Sequence, residues 1–217
     1  MEKFAHLSGV AHAALRKSHA IKLGQVHQLL AAGFGHTSLA SFRLGDLQRL
    51  NGGVEFVCFD DAAALARAQG FGFDITDAQW LDMGFALRPS GVLGSTWLTD
   101  LKGMAAAARF TFEASGHPSI EAIYRSIGSP DGLAAWSSRP LSEVATPPEI
   151  LEFEVLGAVK AFGEPVCLSV PVACRVAFHR VGRRMYGQGA IQAVERCGEP
   201  IEYEPEFEGE FYGMSED

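Results

Sequence analysis

The chain has 217 residues, of which 47% are hydrophobic and 20% are charged, and this balance excludes a wholly disordered protein. Lysine and arginine number 18, and aspartate and glutamate number 26, so the formal net charge is −8. The length corresponds to one or two domains with a sizeable core, and no uncharged run reaches the roughly 18 apolar residues of a membrane-spanning helix.

The charge is distributed unevenly along the chain. Residues 1–50 carry six basic and two acidic side chains, whereas residues 51–217 carry twelve basic and twenty-four acidic ones. Such an asymmetry is typical of a basic module attached to an acidic body. We therefore predict four segments, which are a small basic helical module (1–50), a mainly helical α+β body (51–148), an antiparallel β-meander (149–198) and an acidic tail (199–217).

Three helices are predicted in the basic module. Apolar residues recur at helical intervals over Phe4–Arg16, and a second helix, capped by Ser18, ends at Gly33. Residues 34–35 form a turn, after which Thr37 or Ser38 caps a third helix. This order is the outline of a helix-turn-helix, in which the last helix enters the DNA major groove.

The exposed polar residues of this module are the candidates for DNA contact, because basic and hydroxyl side chains bind phosphates and base edges. These candidates are Lys17, Lys22, His36, Thr37, Ser38 and Arg43. The alternative is a plain three-helix packing module with solvated lysines. Five histidines also lie here, but they are six to nine residues apart, whereas helical metal ligands stand three or four apart. We therefore expect no metal and no cofactor.

The stretch AALRKSHAIKLGQVHQLLAAGFGHTSLASFR, within residues 6–50, resembles the short helical domain that precedes the main domain in glyoxalase-related bacterial proteins. In both, a helix ends in a turn of glycine and an aromatic residue, and a helix of small residues follows. The resemblance implies a similar helical module. It carries no catalytic residue over to this chain.

The middle segment is predicted to alternate between a strand and helices. A short buried strand covers residues 54–59. Four helices follow, over residues 61–69, 76–85, part of 95–112, and 119–127, and Ser119 caps the last of them. Five aspartates cluster here and are of the type that binds magnesium or catalyses acid–base steps, namely Asp60, Asp61, Asp74, Asp77 and Asp82. Helix capping is the alternative explanation, and we assign no catalytic residue.

The carboxyl-terminal segment changes to an alternating pattern. Three or four antiparallel strands are predicted, and Pro171 indicates an edge or a bulge because proline cannot donate to a ladder. The motif HRVGRRMYG brings Arg180, Arg183 and Arg184 next to Tyr186, a combination that can grip phosphate and stack on a base. The alternative is a charged hairpin tip that keeps a sheet edge soluble.

The last segment is unusually acidic, with eight acidic residues and no basic one between Glu199 and Asp217. Five of them alternate strictly with other residues and would face one way in an extended chain, namely Glu202, Glu204, Glu206, Glu208 and Glu210. Such a row could imitate a nucleic-acid backbone, bind a basic partner or cover the basic module. A mobile acidic tail is the alternative.

The sequence therefore predicts an α+β, non-enzymatic, cytoplasmic protein of bacterial type that binds DNA or a basic DNA-handling protein. A cytoplasmic location fits the absence of a secretory signal pattern and of any CxxC pair among the four cysteines. One alternative is an inhibitor or adaptor of protein machinery that uses the acidic surface. Another is a small-molecule enzyme with a site near His117 and the middle aspartates. No membrane partner is expected, and a homodimer is left open.

Overall fold

The computed structural model describes residues 3–52, 54–87, 97–99, 101–142, 148–163 and 165–204. Within these ranges the chain has the predicted α+β composition. The helices are α1 (Lys3–Leu15), α2 (Leu23–Gly33), α3 (Leu39–Gly45), α4 (Leu47–Gly52), α5 (Asp61–Gly70), α6 (Asp77–Leu87), α7 (Leu101–Glu113) and α8 (Pro118–Ile127). The strands are β1 (Phe56–Cys58), β2 (Trp97–Thr99), β3 (Ser129–Pro140), β4 (Ile150–Phe162), β5 (Cys167–Arg180), β6 (Met185–Arg196) and β7 (Ile201–Tyr203). None of the described helices has the length and apolar character needed to cross a membrane.

All of these strands belong to one sheet, in the order β2-β1-β6-β5-β4-β3, with β7 paired to the start of β5. Strands β3 to β6 form an antiparallel meander, β1 is antiparallel to β6, and β2 is parallel to β1. The antiparallel pairing predicted for the carboxyl-terminal strands is confirmed. Because β1 joins β6, the sheet extends across the predicted boundary between the middle segment and the meander.

The predicted edge position of β5 is wrong, because β5 is a central strand between β4 and β6. Its bulges lie at Arg175/Val176 and Phe178/Arg180, away from Pro171. Pro171 pairs with Ala158 of β4, while its carbonyl accepts from the Cys197 N–H at 2.9 Å just beyond β6. In an antiparallel ladder, the N and the C=O of one residue point towards the same neighbouring strand. The nitrogen of Pro171, which has no hydrogen to donate, therefore points into the gap between β6 and β7. The proline therefore costs the sheet no ladder bond.

Two hydrophobic cores hold the fold together. The first lies among the amino-terminal helices and includes Leu7, Val26 and Phe42, all fully buried. The second lies between the sheet and helices α7 and α8, where Phe112 of α7 packs with Phe153 and other inward residues of the meander. The helical segment and the meander thus each bury an apolar face of their own.

Strand β1 and the start of β6 connect the two cores. Val57 and Met185 belong to the helical core, whereas their neighbours Phe56 and Tyr186 belong to the sheet core. This division follows from the two-residue period of a strand, which sends successive side chains to opposite faces. The two cores therefore pack on opposite faces of this part of the sheet. The β5–β6 hairpin lies next to the amino-terminal helices.

Several helix starts differ from their predicted caps. Helix α2 begins at Leu23 rather than after Ser18, and Gln25 caps it by accepting from the Lys22 N–H at 2.8 Å. Helix α8 is capped by the His117 ring, which accepts from the Ser119 N–H at 3.2 Å, and not by Ser119. Pro118 favours this start because its fixed φ suits the first helical position. Of the two residues proposed for α3, Ser38 is the cap, with its hydroxyl 3.1 Å from the Ser41 N–H.

The amino-terminal helices occur in the predicted order, with five residues between α2 and α3. Helix α3 has only seven residues, and α4 begins two residues after it ends. The helix-turn-helix interpretation of this segment remains a prediction.

Candidate functional site

An open groove of about 1440 Å³ lies between the amino-terminal helices and the β5–β6 hairpin. Its walls come from the end of α2 and the turn after it, from α3 and α4, from the first turns of α5, from Glu149 before β4, and from the hairpin residues 180–184. Five arginines line it, and we call it the arginine groove. They are Arg49, Arg67, Arg180, Arg183 and Arg184.

The turn after α2 shapes one wall of the arginine groove. Gly33 lies against the ring of Phe59, and a Cβ atom there would come within 2.0 Å of that ring. Gly35 has φ +85°, a conformation that glycine adopts without the steric penalty of other residues. The side chain of Arg184 passes over Gly35, so closely that a Cβ on Gly35 would lie 3.3 Å from it. Small residues at these two positions allow α2 to approach both β1 and the hairpin.

Asp46 connects the helices to the hairpin and is almost completely buried. Its Oδ2 accepts from the Arg183 backbone N–H and faces Nε2 of His36, both at 2.9 Å, while its Oδ1 accepts from Arg49 at 2.9 Å. Burial alone would raise the pKa of Asp46, but the hydrogen bonds from Arg183, His36 and Arg49 outweigh it and the pKa is lowered. Asp46 is therefore an ionised carboxylate at neutral pH.

Three of the five arginines are neutralised by carboxylates. Arg49 pairs with Asp46, Arg180 with Glu149, and Arg184 with Asp60 at 2.5 Å. These pairs hold the guanidinium groups along the wall of the groove, but they add little net charge to it.

The other two arginines are held by uncharged acceptors. Arg67 donates to the Thr37 carbonyl at 2.9 Å, and Arg183 donates to the Gly35 carbonyl at 3.1 Å. Within the described ranges neither is ion-paired. Because a carbonyl carries no net charge, Arg67 and Arg183 give the groove an excess of positive charge. The arrangement can therefore bind phosphate or carboxylate groups.

Two predicted clusters, far apart in sequence, meet in this groove. Thr37 and His36 from the basic module line it together with the three hairpin arginines of the HRVGRRMYG motif. Ser38 lies beside them, but its hydroxyl caps α3. The structure thus places two of the six predicted DNA-contact residues, His36 and Thr37, beside the predicted phosphate-binding arginines.

Two of the site residues proposed from sequence are buried, which corrects their expected exposure. His36 is 5% exposed because its ring bridges Ser41 and Asp46. Tyr186 is 1% exposed, since the alternation of β6 turns its ring into the sheet core, and its hydroxyl donates to the Pro148 carbonyl at 3.1 Å. Burial raises the pKa of Tyr186 to about 12. The ring of Tyr186 is therefore unavailable for stacking on a base.

Three predicted basic contacts lie elsewhere. Lys17 lies in the turn after α1 and Lys22 directly before α2, and both are exposed. The groove lies at the other end of α2, roughly 16 Å from Lys22 at 1.5 Å per residue. Arg43 is exposed on α3 near His27, where burial of the His27 ring and the positive charge of Arg43 both lower the pKa of His27. These three residues do not line the arginine groove.

The acidic row is only partly within the described residues. Glu202 lies on β7 and Glu204 directly after it, both exposed, and β7 pairs with Cys167–Ser169 at the opposite end of β5 from Arg180. The length of β5 separates the two ends by roughly 40 Å at 3.3 Å per residue. Glu206, Glu208 and Glu210 lie outside the described residues.

Helix capping explains one of the middle aspartates, since Asp60 caps α5 through the Ala63 N–H at 2.9 Å. Asp61 and Asp77 lie in the first turns of α5 and α6, and Asp61 also accepts from the Trp80 ring N–H at 2.8 Å. The described part of the chain contains no group of three or more histidine, cysteine or acidic residues arranged to hold a metal ion.

Sequence reasoning missed Asp46, Arg49, Arg67 and Glu149 as site residues. Arg49 was visible as part of the excess charge of residues 1–50, but no local pattern marks the others. Asp46 and Arg183, for example, are 137 residues apart. Only the closure of the sheet against the helices brings them together.

Comparison with known proteins gives no match: no family model fits the sequence, and no curated protein or solved structure is significantly similar to it. The functional assignment therefore depends on the groove itself.

Proposed function

We propose that the protein binds DNA through the arginine groove, mainly by contacts to the phosphate backbone. The observation that carries this proposal is the convergence of five arginines from three parts of the chain, namely α4, α5 and the β5–β6 hairpin, on one open groove. Arginine matches the geometry of phosphate oxygens and keeps its charge at all physiological pH values. Phosphate contacts of this kind supply most of the sequence-independent affinity of DNA-binding proteins.

The size and charge of the groove favour a polymer over a small anion. Its volume of about 1440 Å³ exceeds the roughly 300–1,000 Å³ of most small-molecule pockets, and it is open to solvent. The chain as a whole carries a net charge of −8, so a polyanion is repelled by most of the remaining surface. A strand of DNA would therefore be directed to the groove, where Arg67 and Arg183 are not ion-paired.

The acidic-surface alternative has less support. Glu202 and Glu204 lie at the far end of β5 from the groove, and no described contact brings either of them to the amino-terminal helices. We therefore propose one function only.

The test is equilibrium binding to a labelled DNA duplex at low salt, with the wild-type chain and single variants. Arg67→Gln and Arg183→Gln remove a charge each, while the Arg183 backbone N–H still holds Asp46. We expect each variant to weaken binding several-fold and about equally for unrelated sequences. Arg125→Gln, at an exposed position on α8, is the matched control and should bind like the wild type. Equal binding by all four proteins would contradict the proposal.

A further inference from the structure

A serine, a histidine and an aspartate form a hydrogen-bonded chain on the wall of the arginine groove. Ser41 Oγ lies 3.1 Å from Nδ1 of His36, and Nε2 of the same ring lies 2.9 Å from Oδ2 of Asp46. All three residues line the groove. Ser41 is partly exposed, whereas His36 and Asp46 are buried. A hydroxyl at the groove surface is thus backed by a buried base and a buried carboxylate.

The hydrogen-bond pattern determines which ring nitrogen carries the proton. An ionised carboxylate can only accept, so Nε2 of a neutral His36 must donate its proton to Asp46. Nδ1 then has a free lone pair, which accepts the Ser41 O–H. This is the protonation state in which a histidine can remove a proton from a serine. The backbone N–H of Arg183 and the side chain of Arg49 hold the carboxylate in place behind the ring.

We propose that Ser41 is a catalytic nucleophile, that His36 is its general base and that Asp46 is a positioning residue which keeps the imidazole in this tautomer. The substrate is a phosphodiester bond of DNA held in the arginine groove, and in this respect the proposal rests on the proposed function. A nucleophile, a base within hydrogen-bond reach and a third group that orients the base form the arrangement that activates serine on unrelated folds.

The reaction has two balanced steps. Ser41 Oγ attacks phosphorus while its proton moves to Nδ1 of His36, the bond from phosphorus to the leaving sugar oxygen breaks, and that oxygen takes the proton from His36. Water then attacks the phosphoserine, His36 accepts its proton, the bond from phosphorus to Oγ breaks, and Oγ regains a proton. The products are one phosphomonoester end and one hydroxyl end.

The charge of the groove favours phosphoryl transfer over acyl transfer. In a phosphoryl transition state, negative charge spreads over the non-bridging oxygens, and positioned guanidinium groups stabilise it. The arginine groove presents Arg67 and Arg183 without a carboxylate partner in the described chain. Their charge therefore favours a phosphate centre at Ser41.

The first test uses a fluorophosphonate probe, which reacts with activated serines and needs no DNA. We expect the full chain to be labelled at Ser41, as read by peptide mass spectrometry, and Ser41→Ala to lose the label. Ser137→Ala, at an exposed position on β3, is the matched control and should be labelled like the wild type. His36→Gln should slow the labelling of Ser41 strongly, because glutamine cannot take the Ser41 proton as the imidazole can. No label at Ser41 would overturn the proposal.

The role of Asp46 has a separate readout. In Asp46→Asn the side-chain amide can donate to Nε2 of His36, which places the ring proton on Nδ1, so labelling of Ser41 should fall in protein that circular dichroism shows to be folded, and Asp46→Glu should restore part of it. Labelling of the folded Asp46→Asn protein at the wild-type rate, or no rescue by Asp46→Glu, would overturn the positioning role.

The second test is nicking of supercoiled plasmid in the presence of EDTA. We expect the wild type to nick the plasmid and Ser41→Ala to lose at least about 100-fold of the rate, in line with typical nucleophile or acid–base contributions, while still binding DNA. If Ser41 is labelled and the protein binds DNA but does not nick the plasmid, the phosphodiester substrate is overturned, whereas the nucleophile and the proposed function stand. Labelling without DNA binding would overturn the proposed function and the substrate, but it would support the nucleophile.

Discussion

Asp46 is the buried carboxylate that joins the helices of the groove to the β5–β6 hairpin. It is buried, accepts from two separate parts of the chain, and connects the end of α3 to the hairpin between β5 and β6. A Cβ on Gly182 would lie 3.0 Å from its carboxylate, so the hairpin backbone approaches it closely. Removing its charge would leave its donors without an ionised acceptor, and such losses are costly in a buried site.

We expect Asp46→Asn to lower the free energy of unfolding by about 2–4 kcal/mol at pH 7, because three hydrogen bonds to a charged acceptor are weakened. Urea denaturation followed by circular dichroism would measure it. Asp82→Asn, at an exposed position on α6, is the control and should change stability by less than about 0.5 kcal/mol.

The same pair of proteins should differ in pH dependence. The pKa of Asp46 is lowered on folding from its ordinary value of 3.8, so its contribution is complete above that value and is lost as the pH falls through the folded pKa. The stability difference between the wild type and Asp46→Asn should therefore shrink below about pH 4. A constant difference from pH 7 to pH 3 would contradict the account of this carboxylate.

At the scale of elements, helix α2 shows how the groove is placed. It carries two glycines in different surroundings: Gly33 lies against the Phe59 ring, whereas a Cβ on Gly24 would contact nothing within 4 Å. Only the first glycine is needed for packing. The second simply lowers helix propensity.

We therefore expect opposite effects from the same substitution in one helix. Gly33→Ala should destabilise the fold by about 1–3 kcal/mol, because its methyl group overlaps the Phe59 ring. Gly24→Ala should stabilise it by about 0.5–1 kcal/mol through helix propensity. Thermal or urea unfolding of the two variants tests this. Equal shifts in the same direction would mean that α2 does not approach Phe59 in this way.

The elements differ in how far the sequence predicts them. Strand β5 was recognisable because alternate residues from Val170 to Phe178 are apolar, and all of them are buried. Strand β3 was not, since its sequence SPDGLAAWSSRP contains proline, glycine and serine and its side chains are mostly exposed or half-buried at the sheet edge. Alternation marks a strand only where one of its faces is buried.

The residues of the arginine groove were likewise predictable only where a local sequence pattern marks them. The hairpin arginines and Thr37 were identifiable as local clusters, but their convergence depends on the pairing of β1 with β6 and on the contact between Asp46 and Arg183. His36 and Tyr186 were assigned to the surface because a polar ring gives no local sign of burial. Their partners, Asp46 and the Pro148 carbonyl, become neighbours only in the folded chain.

At the scale of the whole molecule, the net charge of −8 conceals a local site of opposite sign. The arginine groove contains five arginines and three carboxylates, so its surface is positive within an acidic protein. Charge that is concentrated in a groove attracts a polyanion even when the total charge repels it, and salt screens this attraction. The binding of DNA should therefore depend on salt in proportion to the number of phosphates that the groove contacts.

The most direct measurement is the slope of the logarithm of the DNA association constant against the logarithm of salt concentration. Each phosphate contact contributes about −0.9 to this slope, so contacts by Arg67 and Arg183 give about −2 for the wild type. The double variant Arg67→Gln/Arg183→Gln should flatten the slope to near zero, and Arg125→Gln should leave it unchanged. A wild-type chain that does not bind DNA at low salt, or a slope that the double variant leaves unchanged, would contradict the account.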